Sequence, residues 1–239
     1  MIVPSEPLRY CCAVFQKRFQ PTLQEQRDRM VRTQLIDRGI SDPRVLDAMA
    51  AVPRERFIDP AQAPYAYEDR ALPIDEHQTI SQPYIVGLMA QALCLSPEDR
   101  VLEIGAGSGY AAAVMSLIAA EVIAIERHAV LAESARARLA DLGFDRVRIL
   151  IADGTLGAPD LAPFDAISVA AGGPHISEPL FRQLAIGGRL VMPVGASRDE
   201  QQLVRIMRTG EDSFVRDSLG LVQFVPLVGR EGWSDDDEP

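Results

Sequence analysis

The chain has 239 residues, of which 47% are hydrophobic, and its formal net charge at pH 7 is −10. This length and hydrophobic content predict one domain with a large core. The acidic balance argues against nucleic acid as a partner, because binding phosphates requires a basic surface. No apolar run approaches the roughly 20 residues of a membrane helix. We therefore expect no membrane partner, and we expect the protein to act as a monomer.

Both ends of the chain are predicted to lie outside the single folded domain, 22–233. Residues 1–21 are expected to form a loose extension, whose apolar stretch YCCAVF is shorter than a signal-peptide core. Residues 234–239 contain four acidic side chains and are expected to form a disordered tail. The adjacent Cys11 and Cys12, with Cys94 far along the chain, have the spacing of neither a disulfide framework nor a metal site. This cysteine usage is typical of a cytoplasmic protein.

The first part of the domain, 22–95, is predicted to contain helices and one long loop. The stretch TLQE has the Thr-x-x-Glu form of a capping box, and the helix that it opens is expected to end at Gly39. The segment DPRVLDAMAAVP predicts a second helix that is capped by Asp42. Residues 54–80 lack sustained periodicity and are predicted to form a structured loop on the substrate side. A helix is expected over 81–95.

The second part, 96–233, alternates between short Val- and Ile-rich runs and helical patterns. The predicted strands are RVLEIG, EVIAIE, VRILIAD, DAISVAA and RLVMPVG. Strands that alternate with helices predict an α/β fold with a doubly wound, mostly parallel sheet. The last two runs, QQLVRIMRTG and SLGLVQFVPLVG, have no helix between them. They predict an antiparallel strand pair near the C-terminus.

A glycine-rich loop follows the first of these strands, in the stretch VLEIGAGSGY. Gly105, Ala106, Gly107 and Gly109 are predicted to let the backbone approach a ligand closely, since the glycines have no side chain. A dinucleotide fingerprint would have its third glycine at the position of Tyr110. By itself this is a nucleotide-type loop, and the tyrosine at that position disfavours NAD.

Acidic residues stand at the ends of three successive predicted strands. Glu126 lies 21 residues after Gly105, where a carboxylate can accept hydrogen bonds from ribose hydroxyls, although a solvated strand end is the alternative. Asp153 and Gly154 could meet the amine and edge of an adenine, although an Asp-Gly pair is also a turn signal. Glu103 suits the ammonium of a methionine moiety better than a pyrophosphate. Together these residues resemble the site of Rossmann-like methyltransferases that use S-adenosylmethionine.

Several further stretches make the resemblance more specific. In chain order they are QLIDRGISDPRVLDAMAAVPRERFI, LPIDEHQTISQPY, VLEIGAGSGYAAAV, DGTLG, PFDAISVAA, GGRLVMPVG and FVPLVGREGW. They resemble the protein-L-isoaspartate O-methyltransferase family. The resemblance implies transfer of a methyl group from S-adenosylmethionine to the α-carboxylate of L-isoaspartyl residues in damaged proteins and peptides. The ester then collapses to a succinimide, and repeated cycles restore aspartate.

The implied chemistry needs neither a general base nor a metal. A carboxylate whose pKa is about 4 is already ionised at pH 7. The site has to align the reacting atoms and exclude water, which is a task of proximity and orientation. His77, His128 and His175 are scattered along the chain and do not suggest a metal site.

Ser81 has three interpretations. It could cap the helix expected from Gln82, or act as a nucleophile served by His77, although no Gly-x-Ser-x-Gly elbow is present. The resemblance assigns Ser81 to the active site, and we interpret it as the donor that orients the acceptor carboxylate. Three neighbours are then expected to line the wall between donor and acceptor: Gln78, Thr79 and Ile80.

One position departs from the family pattern. Where the family commonly has a glycine before QTIS, this chain has His77, whose β-carbon is expected to restrict φ or narrow the peptide groove. Two other functions stay open beside repair. One is methylation of the carboxylate of a dedicated partner peptide, and the other is a noncatalytic module that only binds S-adenosylmethionine.

Overall fold

The structure is a computed structural model that describes residues 21–197 and 200–234. The predicted extension 1–21 lies outside the described residues except for Pro21, and the predicted tail 234–239 lies outside them except for Ser234.

The first helix, α1 (Leu23–Met30), begins with the predicted capping box. The amide of Glu25 donates to Thr22 Oγ1 at 3.2 Å, and the amide of Thr22 donates to Glu25 Oε2 at 2.7 Å. These two bonds satisfy amide groups that would otherwise lack a partner at a helix start.

The helical run continues to Gly39, as predicted, but it is not regular. A π-helical turn, Val31–Leu35, and a 3₁₀ turn follow α1, and Gly39 ends the run with φ 93°. Met30 and Leu35 are both fully buried. Their five-residue spacing fits the wider π turn, which brings both side chains to the same core.

Further helices follow along the chain. They are α2 (Pro43–Ala51), α3 (Pro83–Ala92), α4 (Tyr110–Ser116), α5 (Ala129–Asp141) and α6 (Glu178–Gln183). The predicted loop 54–80 contains two 3₁₀ turns and a hairpin of β1 (Leu72–Pro73) and β2 (Thr79–Ile80).

Helix α3 begins later than the predicted start at residue 81. Its N-cap is Gln82, in an extended conformation with ψ 137°, and Pro83 takes the first helical position. Because a proline disfavours helical dihedrals in the residue before it, neither Gln82 nor Ser81 belongs to the helix. The interpretation of Ser81 as the cap of this helix is therefore wrong.

The main sheet has seven strands in the order β5-β4-β3-β6-β7-β8-β9. Their bounds are β3 (Arg100–Ile104), β4 (Glu121–Glu126), β5 (Val147–Ile151), β6 (Phe164–Val169), β7 (Leu184–Val194), β8 (Gln201–Arg208) and β9 (Phe214–Val222). The strands β3 to β7 are parallel to one another, whereas β8 pairs antiparallel with both β7 and β9. The predicted α/β fold, with its mostly parallel sheet and C-terminal antiparallel strands, is confirmed.

Two clusters of buried side chains cover the two faces of the sheet. Val101 of β3 belongs to the larger cluster, which includes residues of α1 to α5. The next residue, Leu102, belongs to the second cluster with Phe164 and with Leu180 of α6. This alternation follows from the two-residue period of a strand. In the described part of the chain, no helix is long and apolar enough to cross a membrane.

The end of the chain differs from the prediction of one strand over SLGLVQFVPLVG. Strand β9 ends at Val222, and the following segment, 223–228, leaves its pairing with β8. It crosses to the carboxyl end of β6, where Gly172 N donates to Val225 O at 2.8 Å and Leu227 N donates to Gly172 O at 2.8 Å. We call 223–228 the closing segment.

Candidate active site

A cavity of about 710 Å³ opens at the carboxyl ends of β3, β4 and β6, and we call it the strand-end cavity. Strand β3 lies between β4 and β6, which the chain reaches in opposite directions across the sheet. Open α/β sheets bind ligands at such a switch point. The wall formed by the strand ends contains Ile104, Gly105, Ile125, Glu126 and Ala170.

The glycine loop forms the turn between β3 and α4. The amides of Gly105 and Ala106 donate to Ile125 O at 2.8 and 3.1 Å. Gly109 has φ 87°, and a Cβ on it would lie 3.2 Å from Leu139 Cδ1 of α5. The glycine therefore permits both the left-handed turn and the close approach of α5. Of the predicted loop residues, Gly105 and Gly107 line the cavity, whereas Ala106 and Gly109 are buried and do not line it.

Tyr110 occupies the position at which a dinucleotide loop would have its third glycine. Its side chain is buried in the larger core, where the hydroxyl donates to Met49 Sδ at 3.6 Å and the ring meets Phe57 edge-on. That the loop does not bind NAD stays a prediction.

Glu126 lies at the end of β4 and is only 5% exposed, yet it lines the strand-end cavity. Its Oε2 accepts a hydrogen bond from Gly107 N at 2.8 Å, and its Oε1 accepts one from His128 N at 2.9 Å. These bonds hold the carboxylate between the glycine loop and the start of α5. A carboxylate oxygen has two lone pairs, so Glu126 can also accept hydrogen bonds from a ligand.

Glu103 is fully buried under the same cavity wall. Neither of its carboxyl oxygens has a hydrogen-bond partner among the described residues. Burial, and to a lesser extent the nearby Glu126 carboxylate, raise the pKa of Glu103 well above its ordinary value. A buried acid of this kind favours a cationic partner. A contact of Glu103 with the ammonium of a methionine moiety stays a prediction.

Asp153 and Gly154 have different surroundings. Gly154 lines the strand-end cavity, but the Asp153 side chain faces the C-terminal residues instead. Asp153 accepts hydrogen bonds from Thr155 N and Arg230 N, both at 2.9 Å. Although partial burial raises the pKa of Asp153, these and related hydrogen bonds hold it below its ordinary value. The turn interpretation describes Asp153 well, and its contact with an adenine stays a prediction.

The hairpin of β1 and β2 covers one side of the strand-end cavity. Four consecutive residues, Glu76 to Thr79, line the cavity. Across its mouth, Glu76 Oε2 lies 3.5 Å from His128 Nδ1. The prediction that Ile80 also lines this wall is wrong, because its side chain is 4% exposed and packs in the larger core. Side chains alternate along a strand, so Thr79 faces the cavity and Ile80 faces away.

A second cavity of about 430 Å³ adjoins the first, and we call it the Ser81 cavity. The two share five lining residues: Thr79, Ala170, Gln223, Phe224 and Val225. Ser81 lines only the second cavity, and its hydroxyl makes no hydrogen bond among the described residues. His77 lines only the first cavity, and no hydrogen bond joins it to Ser81 there, so the geometry does not support a serine–histidine nucleophile.

The closing segment is the part of the site that the sequence analysis missed. All six of its residues line the strand-end cavity, and three of them also line the Ser81 cavity. The indole of Trp233 donates to Gly172 O at 2.9 Å and so fixes the chain beyond the segment. Pro226 was the one signal against a continuing strand, because a proline cannot donate to a sheet ladder. In the described part of the chain, no group of side chains is arranged to hold a metal ion.

Comparisons with known proteins agree with this arrangement. The family model described as protein-L-isoaspartate(D-aspartate) O-methyltransferase (PCMT) matches residues 25–232. The protein-L-isoaspartate O-methyltransferases of Protochlamydia amoebophila and Rhodopseudomonas palustris are 55% and 57% identical to this chain over 204 residues. Each alignment covers 85% of this chain, and the two cover 97% and 94% of the relatives.

Solved structures give the same result. A protein-L-isoaspartate O-methyltransferase matches with a TM-score of 0.77 at 30% identity, over 86% of this chain and 67% of that one. Another match is a Plasmodium falciparum protein assigned as a protein-L-isoaspartate O-methyltransferase, solved in complex with S-adenosyl-L-homocysteine. Its TM-score is 0.71 at 26% identity, over 83% of this chain and 96% of that one. Because the family match contains the hairpin, Ser81 and the glycine loop, the chain belongs to the protein-L-isoaspartate(D-aspartate) O-methyltransferase family.

Proposed function

We propose that this protein transfers the methyl group of S-adenosylmethionine to the α-carboxylate of L-isoaspartyl residues in damaged proteins and peptides, which starts their repair through a succinimide. The observation that carries the proposal is the pair of adjoining cavities. The strand-end cavity has the glycine loop and Glu126, and the Ser81 cavity meets it at Thr79. Methyl transfer requires such an arrangement, with one site for the donor and a contiguous site for the acceptor.

The residues of the strand-end cavity fit S-adenosylmethionine. Glu103 does not line the cavity but lies under its wall without a hydrogen-bond partner, and the ammonium of a methionine moiety bound in the cavity would stabilise its charge. Glu126 would accept hydrogen bonds from the ribose hydroxyls, and Gly105 and Gly107 keep side chains out of the space beside the loop. A Cβ on Gly154 would lie 2.4 Å from Ile104 Cγ2, so this part of the wall has to be a glycine. When bound, S-adenosylmethionine supplies an activated methyl group on a sulfonium.

The residues of the Ser81 cavity have to hold the acceptor carboxylate. This carboxylate is ionised at neutral pH and is already a nucleophile, so the protein need not remove a proton. The Ser81 hydroxyl is unpaired and partly buried, and it would donate a hydrogen bond that orients one carboxylate oxygen toward the first cavity. Thr79 and Gln78 would form the partition, and the closing segment would keep bulk water out.

The proposal also covers the partners, the oligomeric state and the location of the enzyme. Its partners are isoaspartyl-containing proteins and peptides, and nucleic acid is not among them, which the net charge of −10 supports. We further propose that the protein is a cytoplasmic monomer. Size-exclusion chromatography with light scattering would test the oligomeric state, and a dimer would contradict that part of the proposal.

The decisive experiment is transfer of labelled methyl from S-adenosylmethionine to an isoaspartyl peptide, with its aspartyl twin as the control. We expect label in the isoaspartyl peptide and a base-labile ester, with no label in the twin. Label in neither peptide, together with calorimetric binding of S-adenosylmethionine, would favour a noncatalytic binding module. Equal labelling of both would favour a carboxyl methyltransferase of different specificity, including one that serves a dedicated partner peptide.

A further inference from the structure

Leu221 lies near the end of β9 with 85% of its side chain exposed, the highest exposure among the large apolar residues that the structure describes. It lines the Ser81 cavity. An apolar side chain held in water beside a binding site offers contact area that a ligand can cover. Its position beside the cavity therefore points to contact with a ligand, whereas a single exposed apolar residue elsewhere on a surface needs no explanation.

A β-bulge determines the direction of this side chain. The pairing between β8 and β9 shifts at Leu203 and Val204, which oppose Gly220 and Ser218. Gly220 has φ 115°, in the region that favours glycine, and a Cβ on it would have open space around it. The conformation, and not crowding, thus requires the glycine. Bulges of this kind redirect side chains and are frequent beside active sites.

The neighbours of Leu221 on the strand face the opposite way. Leu219 and Val222 both pack against the larger core. Without the bulge, strict alternation would put Leu219 and Leu221 on the same face of the sheet. The extra residue therefore turns the Leu221 side chain away from the core and into solvent, at the edge of the Ser81 cavity.

Most of the residues that line the Ser81 cavity are apolar. Ile85 of α3 lines it together with Leu221, and none of the described residues that line it is charged. An acceptor side chain that enters this cavity would lose water without gaining an ion pair. Apolar side chains gain from this transfer, and charged ones lose.

We propose that Leu221 and Ile85 form a specificity contact for a large apolar side chain next to the isoaspartyl residue. The inference rests on the proposed function, since it concerns which isoaspartyl acceptors that same site prefers. The protein then methylates isoaspartyl residues with an apolar neighbour faster than those with a polar or charged neighbour. We expect a ratio of kcat/KM of about tenfold, the lower end of what one apolar contact contributes to discrimination.

The test uses isoaspartyl peptides of one sequence in which the flanking residue is Leu, Ser or Asp, placed before the isoaspartyl residue in one series and after it in another. In the parent protein, the Leu peptide of at least one series should have the highest kcat/KM. In the Leu221→Ser variant, kcat/KM for the peptide with a flanking Leu should become nearly equal to kcat/KM for the peptide with a flanking Ser. The KM for S-adenosylmethionine should stay unchanged. Leu221→Met should keep most of the preference, because it keeps an apolar side chain of similar size.

Val215→Ser is the matched control. Val215 is another exposed apolar residue of β9, 48% exposed, but it pairs with Met207 at the far end of the strand. This variant should keep the parent ratio. A parent ratio near one in both series, or an unchanged ratio in folded Leu221→Ser, would overturn the inference while the proposed function stands. If no isoaspartyl peptide is methylated, both are overturned.

Discussion

Ser81 combines an unpaired hydroxyl with a place in the wall of the Ser81 cavity, where we propose that the acceptor carboxylate binds. We expect Ser81→Ala to lower kcat by about 10²-fold, the lower end of the loss when one preorganised donor is removed from a transition state. The affinity for S-adenosylmethionine should stay nearly unchanged, since Ser81 does not line the strand-end cavity. Steady-state kinetics and calorimetry measure the two effects separately.

The stability of the same variant separates this role from a structural one. Because Gln82 is the N-cap of α3, Ser81→Ala should change the free energy of unfolding by less than about 0.5 kcal/mol. Ser81→Thr retains a donor and should retain more activity than Ser81→Ala. Full turnover in folded Ser81→Ala would contradict the role, and a covalent adduct on Ser81 would restore the nucleophile interpretation.

The role of Glu126 is best tested by measuring the affinity for S-adenosylmethionine. We expect Glu126→Ala to weaken binding of S-adenosylmethionine by about 1–3 kcal/mol, because the ligand loses a charged acceptor. The variant also frees the amide of Gly107, which now donates to Glu126, so Glu126→Gln is the milder control. Unchanged affinity in calorimetry would remove Glu126 from the donor site, and saturable binding of NAD by the parent protein would reverse the choice of cofactor.

At the scale of an element, the hairpin of β1 and β2 carries unusual residues in its turn. Gln78 N donates to Asp75 O at 3.1 Å, and the two residues between them, Glu76 and His77, have φ 56° and 55°. Two positive φ angles are typical of a type I′ turn, which favours Asn-Gly. Both side chains line the strand-end cavity. Two residues with strained backbone conformations therefore lie in the wall of the strand-end cavity.

This turn makes His77→Gly informative, with His77→Ala as its matched control. Both variants remove the imidazole, but only glycine relieves the left-handed conformation. We expect the glycine variant to be more stable than the alanine variant by about 1 kcal/mol. Isoaspartyl methylation by His77→Gly should equal or exceed that of the parent protein. Chemical denaturation and the peptide assay check the two outcomes, and loss of activity in His77→Gly would give His77 a catalytic role.

At the scale of the whole molecule, burial of Glu103 couples stability to pH. Burial, and secondarily Glu126, raise the pKa of Glu103 above its ordinary value of 4.5. Between 4.5 and the raised pKa, the unfolded chain has released this proton while the folded protein still holds it. The contribution of Glu103 to the free energy of unfolding is thus fully present below 4.5 and is lost as the pH rises through the folded-state pKa.

Glu103→Gln removes this titration. We expect the free energy of unfolding of the variant, minus that of the parent protein, to become more positive as the pH rises above 4.5, by at most about 1.4 kcal/mol per pH unit. Urea denaturation of both proteins between pH 5 and 8 measures the difference, from which the other titrating groups cancel. A difference that is constant over this range would mean that Glu103 titrates normally in the fold.

Much of this protein could be predicted from local sequence, because the responsible interactions join residues close in the chain. The capping box at Thr22, the cap at Asp42 and the stop at Gly39 each depend on neighbours within one helical turn. The alternation of strand and helix predicted the parallel sheet. Gly105 and Glu126 could be assigned to a common site, because the carboxyl ends of parallel strands meet at one edge.

Tertiary structure decided the features that depend on distant residues. Hydrogen bonds to Gly172 hold the closing segment against the cavity. The Asp153 carboxylate accepts a hydrogen bond from the backbone amide of Arg230, 77 residues away. Ile80 turns into the core, although its neighbour Thr79 faces both cavities. The physical reason is the same in each case. Side-chain direction and long-range pairing depend on which surfaces the fold brings together, and a local sequence pattern does not determine which surfaces those are.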